Sequence, residues 1–113
     1  MVGNKIMSRD AWAIIDDIRE LNCQYVAKTG WDGIEMMREH IEEIGVLCLD
    51  HDLGDAHAMN GFDVLYRLML EGLVPDRVQL VTSNPVGRTN MGNLLLDRGY
   101  ESRDGINFIK TTA

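Results

Sequence analysis

Val46-Leu47-Cys48-Leu49-Asp50-His51-Asp52 decides how this chain folds: four consecutive apolar residues run without alternation into three ionisable ones. Such a run fits a central strand covered on both faces, and its abrupt polar end puts Asp50 where that strand meets a loop. Upstream, Ile34, Met37, Ile41 and Ile44 recur at spacings of three and four, with Arg38, Glu39, Glu42 and Glu43 on the other side. That pattern predicts an amphipathic helix over Gly33 to Glu43. Downstream, Phe62, Leu65, Leu68 and Met69 predict a second helix, with Asn60 as cap and Gly72 as stop. Further out, Trp12 to Ile15 reads as a strand ending in Asp16-Asp17, and Cys23 to Ala27 as another closed by Thr29-Gly30. Arg77 to Thr82 is a fourth strand, Pro85 to Arg98 a third helix stopped by Gly99, and Ile106, Phe108 and Ile109 a last strand closing at Lys110. The order ββαβαβαβ implies an α/β fold, a mostly parallel five-stranded sheet sandwiched by helices. Ile18 to Asn22 is too short for a crossover helix, so the first connection is unusual or its strands pair antiparallel.

The 113 residues, 45% of them apolar, suffice for one domain, residues 1–113, with 1–10 as an N-terminal extension. Eleven basic against eighteen acidic residues give a net charge of −7, which opposes non-specific coating of nucleic acid. No apolar run approaches the roughly 20 residues of a membrane span, and Met1 to Ser8 does not read as a signal peptide. Cys23 and Cys48 stand singly in apolar segments, without the spacing of a zinc site, and read as small buried hydrophobes. A cytoplasmic protein is expected, in the host cytoplasm if it is viral.

In an open α/β sheet, ligands bind beyond the carboxyl ends of the strands. Here those ends carry Asp16-Asp17, Asp50-His51-Asp52, Thr82-Ser83-Asn84 and Lys110. Loops are polar anyway, which accounts for one or two of these positions but poorly for all four. Asp16, Asp17 and Asp50 brought together cannot all stay ionised without a cation, and hard oxygen donors suit Mg²⁺ or Mn²⁺; the plain alternative for the pair is a solvated turn or helix cap. His51 and Asp52 beside them are candidates for acid or base work, or else His51 is merely packed and hydrogen-bonded. His40 and His57 read as surface residues, His57 the nearer to a ligand. Ser83-Asn84-Pro85-Val86-Gly87-Arg88 leads from a strand end into a helix start, where free N–H groups favour an anion. Ser83 and Asn84 would donate to a phosphate, Gly87 would let it approach the backbone, and Arg88 would supply a planar cation; an Asn-Pro turn with a capping Ser is the alternative. Lys110 in the same crevice would neutralise a phosphate or an acid, although a surface Lys is the default.

An acidic pair after the first strand, an Asp after the third, a Ser or Thr after the fourth and a Lys after the fifth resembles the receiver-domain layout from about Trp12 to Lys110. Within it, Leu49-Asp50-His51-Asp52-Leu53-Gly54 and Ser83-Asn84-Pro85-Val86-Gly87-Arg88 resemble the cyclic-phosphate processing receiver domain family. The resemblance implies a flavodoxin-like three-layer sandwich with strand order 2-1-3-4-5, a divalent metal at Asp16, Asp17 and Asp50, and activity on nucleotide cyclic phosphates or related phosphoesters. Ile18 stands where an acid often extends the pair, and Thr111 where signalling receivers commonly carry Pro.

Three functions follow as expectations. In the first, a metal-dependent phosphodiesterase acts on a nucleotide or RNA-end cyclic phosphate: Asp50, His51, Asp52 and Lys110 are catalytic, and Ser83, Asn84, Gly87 and Arg88 hold the phosphate. In the second, Asp50 is a phospho-accepting switch read by Ser83 and Lys110. The third is a binding module for a nucleotide or a protein.

Overall fold

The structure is a computed structural model, and it describes residues 9–54 and 59–111. The extension up to residue 8 and His57 lie outside the described residues.

The short first connection is the feature that sets the rest of the architecture. β1 (Ala11–Ile15) and β2 (Tyr25–Ala27) pair in parallel, Ala13 opposite Tyr25 and Ile15 opposite Ala27. Residues 16–24 make the return without a helix, turning through Leu21 and Asn22, whose φ angles of 50° and 55° are left-handed. Then come α1 (Gly30–His40), β3 (Ile44–Leu49), α2 (Gly61–Leu70), β4 (Arg77–Leu80), α3 (Pro85–Asp97), β5 (Tyr100–Glu101) and β6 (Asn107–Lys110). α1 begins three residues earlier than its apolar period, because the Thr29 side chain accepts from the Asp32 N–H at 3.1 Å and caps it. Asn60 caps α2 as expected, in a reciprocal box with Asp63.

The sheet has six strands in the order β2-β1-β3-β4-β6-β5. The first four are parallel, as the fold class requires, whereas β6 pairs antiparallel with both β4 and β5. The expected single last strand is therefore a hairpin. The edge strand β5 continues the parallel direction, and β6 returns between it and β4. Its turn is held by Asp104, which accepts from the Ile106 and Asn107 N–H groups at 2.8 Å.

Helices on both faces of the sheet were the other expectation, and here the chain differs. Residues of α1 (Ile34, Met37), α2 (Val64, Leu65, Leu68) and α3 (Met91, Leu95) share one core with Ala13, Ile15, Leu47, Leu49, Val78, Leu80 and Phe108. On the opposite face Ile14, Val46 and Cys48 form a small cluster, joined by Cys23 and Val81 and by no described helix. Right-handed crossovers that all step the same way across a sheet leave their helices on one side. The two connections that could cover the second face are the truncated β1–β2 link and the β5–β6 hairpin. Among the described residues no helix is long and apolar enough to cross a membrane.

Strand ends are level at the rim that matters. Ile15 is opposite Leu49 and Leu49 opposite Leu80, and the ladder runs one step further through Asp16 N–H to Ala27, Asp50 N–H to Ile15 and Val81 N–H to Leu49. Asp16 and Asp50 consequently leave neighbouring strands side by side.

Candidate metal and phosphate site

Asp16 is fully buried and Asp50 nearly so, an arrangement that costs free energy unless each oxygen is satisfied. Asp16 Oδ1 accepts the backbone N–H groups of Ile18 (2.9 Å) and Arg19 (3.1 Å), and Asp50 Oδ1 accepts that of His51 at 2.8 Å. Asp17 completes a group in which one oxygen from each carboxylate lies within 4.8 Å of the others. Three hard oxygen donors converging with no thiol or imidazole among them fit a divalent cation of the Mg²⁺ type.

The cluster also has a member that strand-end reasoning overlooked. Arg19 Nη1 lies 2.8 Å from Asp16 Oδ2 and 3.5 Å from Asp50 Oδ2. Its guanidinium is raised above its ordinary pKa by the hydrogen bond to Asp16, reinforced by the charges of Asp16, Asp50 and Asp17 and opposed by burial. An Asp with an Arg three residues on is the available signal, and the short connection gives it its reach.

Beside the acids stands an ordered imidazole. His51 Nδ1 lies 3.0 Å from Asp52 Oδ1, and Asn84 Nδ2 donates to the two oxygens of Asp52 at 3.3 and 3.4 Å. Asn84 Nδ2 also lies 3.5 Å from His51 Nδ1; a carboxylate only accepts, so the shorter contact to Asp52 is a hydrogen bond in the tautomer with its proton on Nδ1, which leaves Nε2 for chemistry. The His51 hydrogen bond holds the Asp52 carboxyl below its ordinary range against desolvation, with a further contribution from Asn84. Asn84 is fixed in turn: its Oδ1 accepts from Gly87 N–H at 2.9 Å, and its own N–H reaches Thr82 Oγ1 at 3.1 Å.

Two glycines make this packing possible. A Cβ on Gly87 would stand 2.4 Å from His51 Cγ, and one on Gly61 would stand 2.0 Å from the Asp50 carbonyl oxygen. Gly87 was expected to leave room for a ligand, but the His51 ring fills that space. The α3 N-terminus is also less open than the sequence suggests, since Pro85 has no N–H and the Gly87 N–H is taken by Asn84. Ser83 is exposed, and Arg88 Nη1 donates to the Thr82 carbonyl at 3.1 Å, turning back toward the end of β4. Thr82, the first polar residue of that strand end, is 5% exposed and holds both Asn84, through its Oγ1, and Arg88, through its carbonyl.

Lys110 does not join them. Because β6 is antiparallel, its last residue emerges where β4 begins: Lys110 N–H bonds the Asp76 carbonyl at 2.7 Å, and Nζ sits 5.8 Å from the Tyr100 ring centroid. The rim thus gathers Asp16, Asp17, Asp50, His51, Asp52, Ser83, Asn84, Gly87 and Arg88, and leaves Lys110 at the opposite edge of the sheet. His40 stacks on Tyr25, away from the rim.

Receiver-type topology with a carboxylate cluster at the strand ends defines the class. Residues 13–97 match the family described as the cyclic-phosphate processing receiver domain, and the chain belongs to that family. Comparison with curated proteins and with solved structures yields no significant match.

Proposed function

We propose that this protein is a metal-dependent phosphodiesterase that opens a nucleotide or RNA-end cyclic phosphate, with Asp16, Asp17 and Asp50 as ligands of Mg²⁺ or Mn²⁺. The observation that carries the reading is the continuity of residues 50–52: one loop supplies a carboxylate to the acid cluster and, at the next residue, an imidazole whose Nδ1 is held by Asp52. A divalent cation bound there would polarise a phosphoryl oxygen and lower the pKa of a water. His51, as imidazolium, gives its Nε2 proton to the departing ribose oxygen, and Asp52 steadies the charge while it lasts. Net, water adds across one P–O bond of the ring. Ser83, the Val86 N–H and the outer nitrogens of Arg88 are the donors for the phosphate, with Asn84 and Thr82 positioning them.

The test is a panel of 2′,3′- and 3′,5′-cyclic nucleotides and cyclic oligonucleotides, each with Mg²⁺, with Mn²⁺ or with chelator. Turnover that requires metal and is lost in Asp50→Ala supports the reading; a panel in which no member is turned over above that variant overturns it. The phospho-switch alternative places a phosphoryl group on Asp50, and with Lys110 at the far edge the cation beside that group would be Arg19. Acetyl phosphate and intact mass separate the two, because a switch gains a phosphoryl mass. A binding module would show stabilisation by a cyclic nucleotide without turnover.

A further inference from the structure

The acid pocket carries a cation of its own. Asp16 Oδ2 and Asp50 Oδ2 both face Nη1 of Arg19, while the Oδ1 atoms of the two residues are occupied by backbone N–H groups. On the two buried carboxylates the Oδ2 atoms are therefore the ones left for a cation, and a single guanidinium nitrogen of Arg19 faces both. A divalent cation held by these carboxylates would compete with that guanidinium for the same negative charge.

We propose that Arg19 is an exchangeable counter-ion that a divalent cation must displace from Asp16 and Asp50, so that Arg19 sets how tightly the pocket holds metal. The inference rests on the metal reading above. Its side chain can make the exchange without unfolding anything: it is 37% exposed and springs from the helix-free β1–β2 connection. Without metal, Arg19 offsets part of the repulsion among three carboxylates. With metal, the two positive groups compete for the same oxygens, and loss of a charge-assisted hydrogen bond is subtracted from the metal's affinity.

The experiment is calorimetric titration of the full chain with Mn²⁺ for wild type, Arg19→Gln and Arg19→Lys, with melting temperatures recorded without metal and at saturation. Arg19→Gln should bind Mn²⁺ about ten- to a hundredfold more tightly than wild type. It should also melt lower without metal and gain more on loading. Arg19→Lys keeps the charge but loses the planar fork, so it should fall between the two; should the Gln variant fail to fold, Lys binding Mn²⁺ more tightly than wild type carries the test. If wild type binds Mn²⁺ and the variants bind it no better, Arg19 is a structural brace and this inference alone falls. If neither wild type nor the variants bind Mn²⁺, the metal reading falls and takes the inference with it.

Discussion

Gly87→Ala tests the coupling between α3 and the imidazole. The added carbon would lie 2.4 Å from His51 Cγ, 2.6 Å from Cδ2 and 2.8 Å from Cβ. Carbon contacts are comfortable at about 3.5–4.0 Å, so the ring or the helix must retreat by about 1 Å. Replacing Gly by Ala in a helix contributes up to about 1 kcal/mol in its favour. Against this stand overpacking, at about 1–3 kcal/mol, and a weakened His51–Asp52 hydrogen bond, at about 1–3 kcal/mol. The net expectation is a loss of about 1–5 kcal/mol. Gly92→Ala in the same helix is the control, because its Cβ would meet only the Phe108 ring, at 3.2 Å from Cζ. That variant should be neutral or slightly more stable.

Denaturant unfolding of both variants measures the energies, and imidazole ¹⁵N shifts follow the His51 tautomer. Gly87→Ala should lose the single Nδ1–H form and about 10²-fold in turnover of a cyclic phosphate, as displacement of a reacting group by about 1 Å does. A Gly87→Ala protein as stable as Gly92→Ala, with an unchanged His51 spectrum, would refute the packing argument outright.

Lys110→Met should change Mn²⁺ affinity and cyclic-phosphate turnover by no more than about twofold, since Lys110 ends β6 at the edge where β4 begins and screening by salt and distance leaves it little influence on the acids. A tenfold loss in either assay would mean that the hairpin is wrong. Cys48 gives the protein an alkaline sensitivity: burial pushes its thiol up to about 12, so the folded state keeps a proton that the unfolded chain releases from about pH 9. Stability from this group is intact below pH 9 and falls as pH rises towards 12, by up to about 1.4 kcal/mol per unit. Urea unfolding from pH 8 to 10.5 should show a shallower decline in Cys48→Val than in wild type, and parallel curves would count against the burial argument.

Most of the sheet was legible because its central strands obey simple rules. Val46 to Leu49 has no polar residue, and the polar residues begin at the level where the strand stops, so the convergence of Asp16, Asp17 and Asp50 follows once parallel pairing is granted. The hairpin escaped because β5 is only Tyr100–Glu101, too short to display a period, although Asp104-Gly105 between two β-prone stretches is a turn signal. Missing it reversed β6 and carried Lys110 to the wrong edge. The single-sided helix layer follows from the same two places: a connection already recognised as too short, and an ending assumed to be one strand. Gly87 was misassigned for a different reason. A glycine at a helix start reports that something comes close, but only coordinates identify the neighbour as His51.

These departures have a common consequence for charge at the rim. In the receiver layout the cation beside the acids comes from the end of the last parallel strand, whereas here that strand is two residues long and β6 turns its lysine away. The positive group near Asp50 comes instead from the first connection, three residues beyond Asp16. A full crossover helix after β1 would fix residue 19 in its own hydrogen bonding and direct its side chain by the helical period. The abbreviated turn frees it to fold back over the carboxylates. In this chain the reversed final strand thus carries its lysine away from the pocket, while the abbreviated first turn brings Arg19 to it.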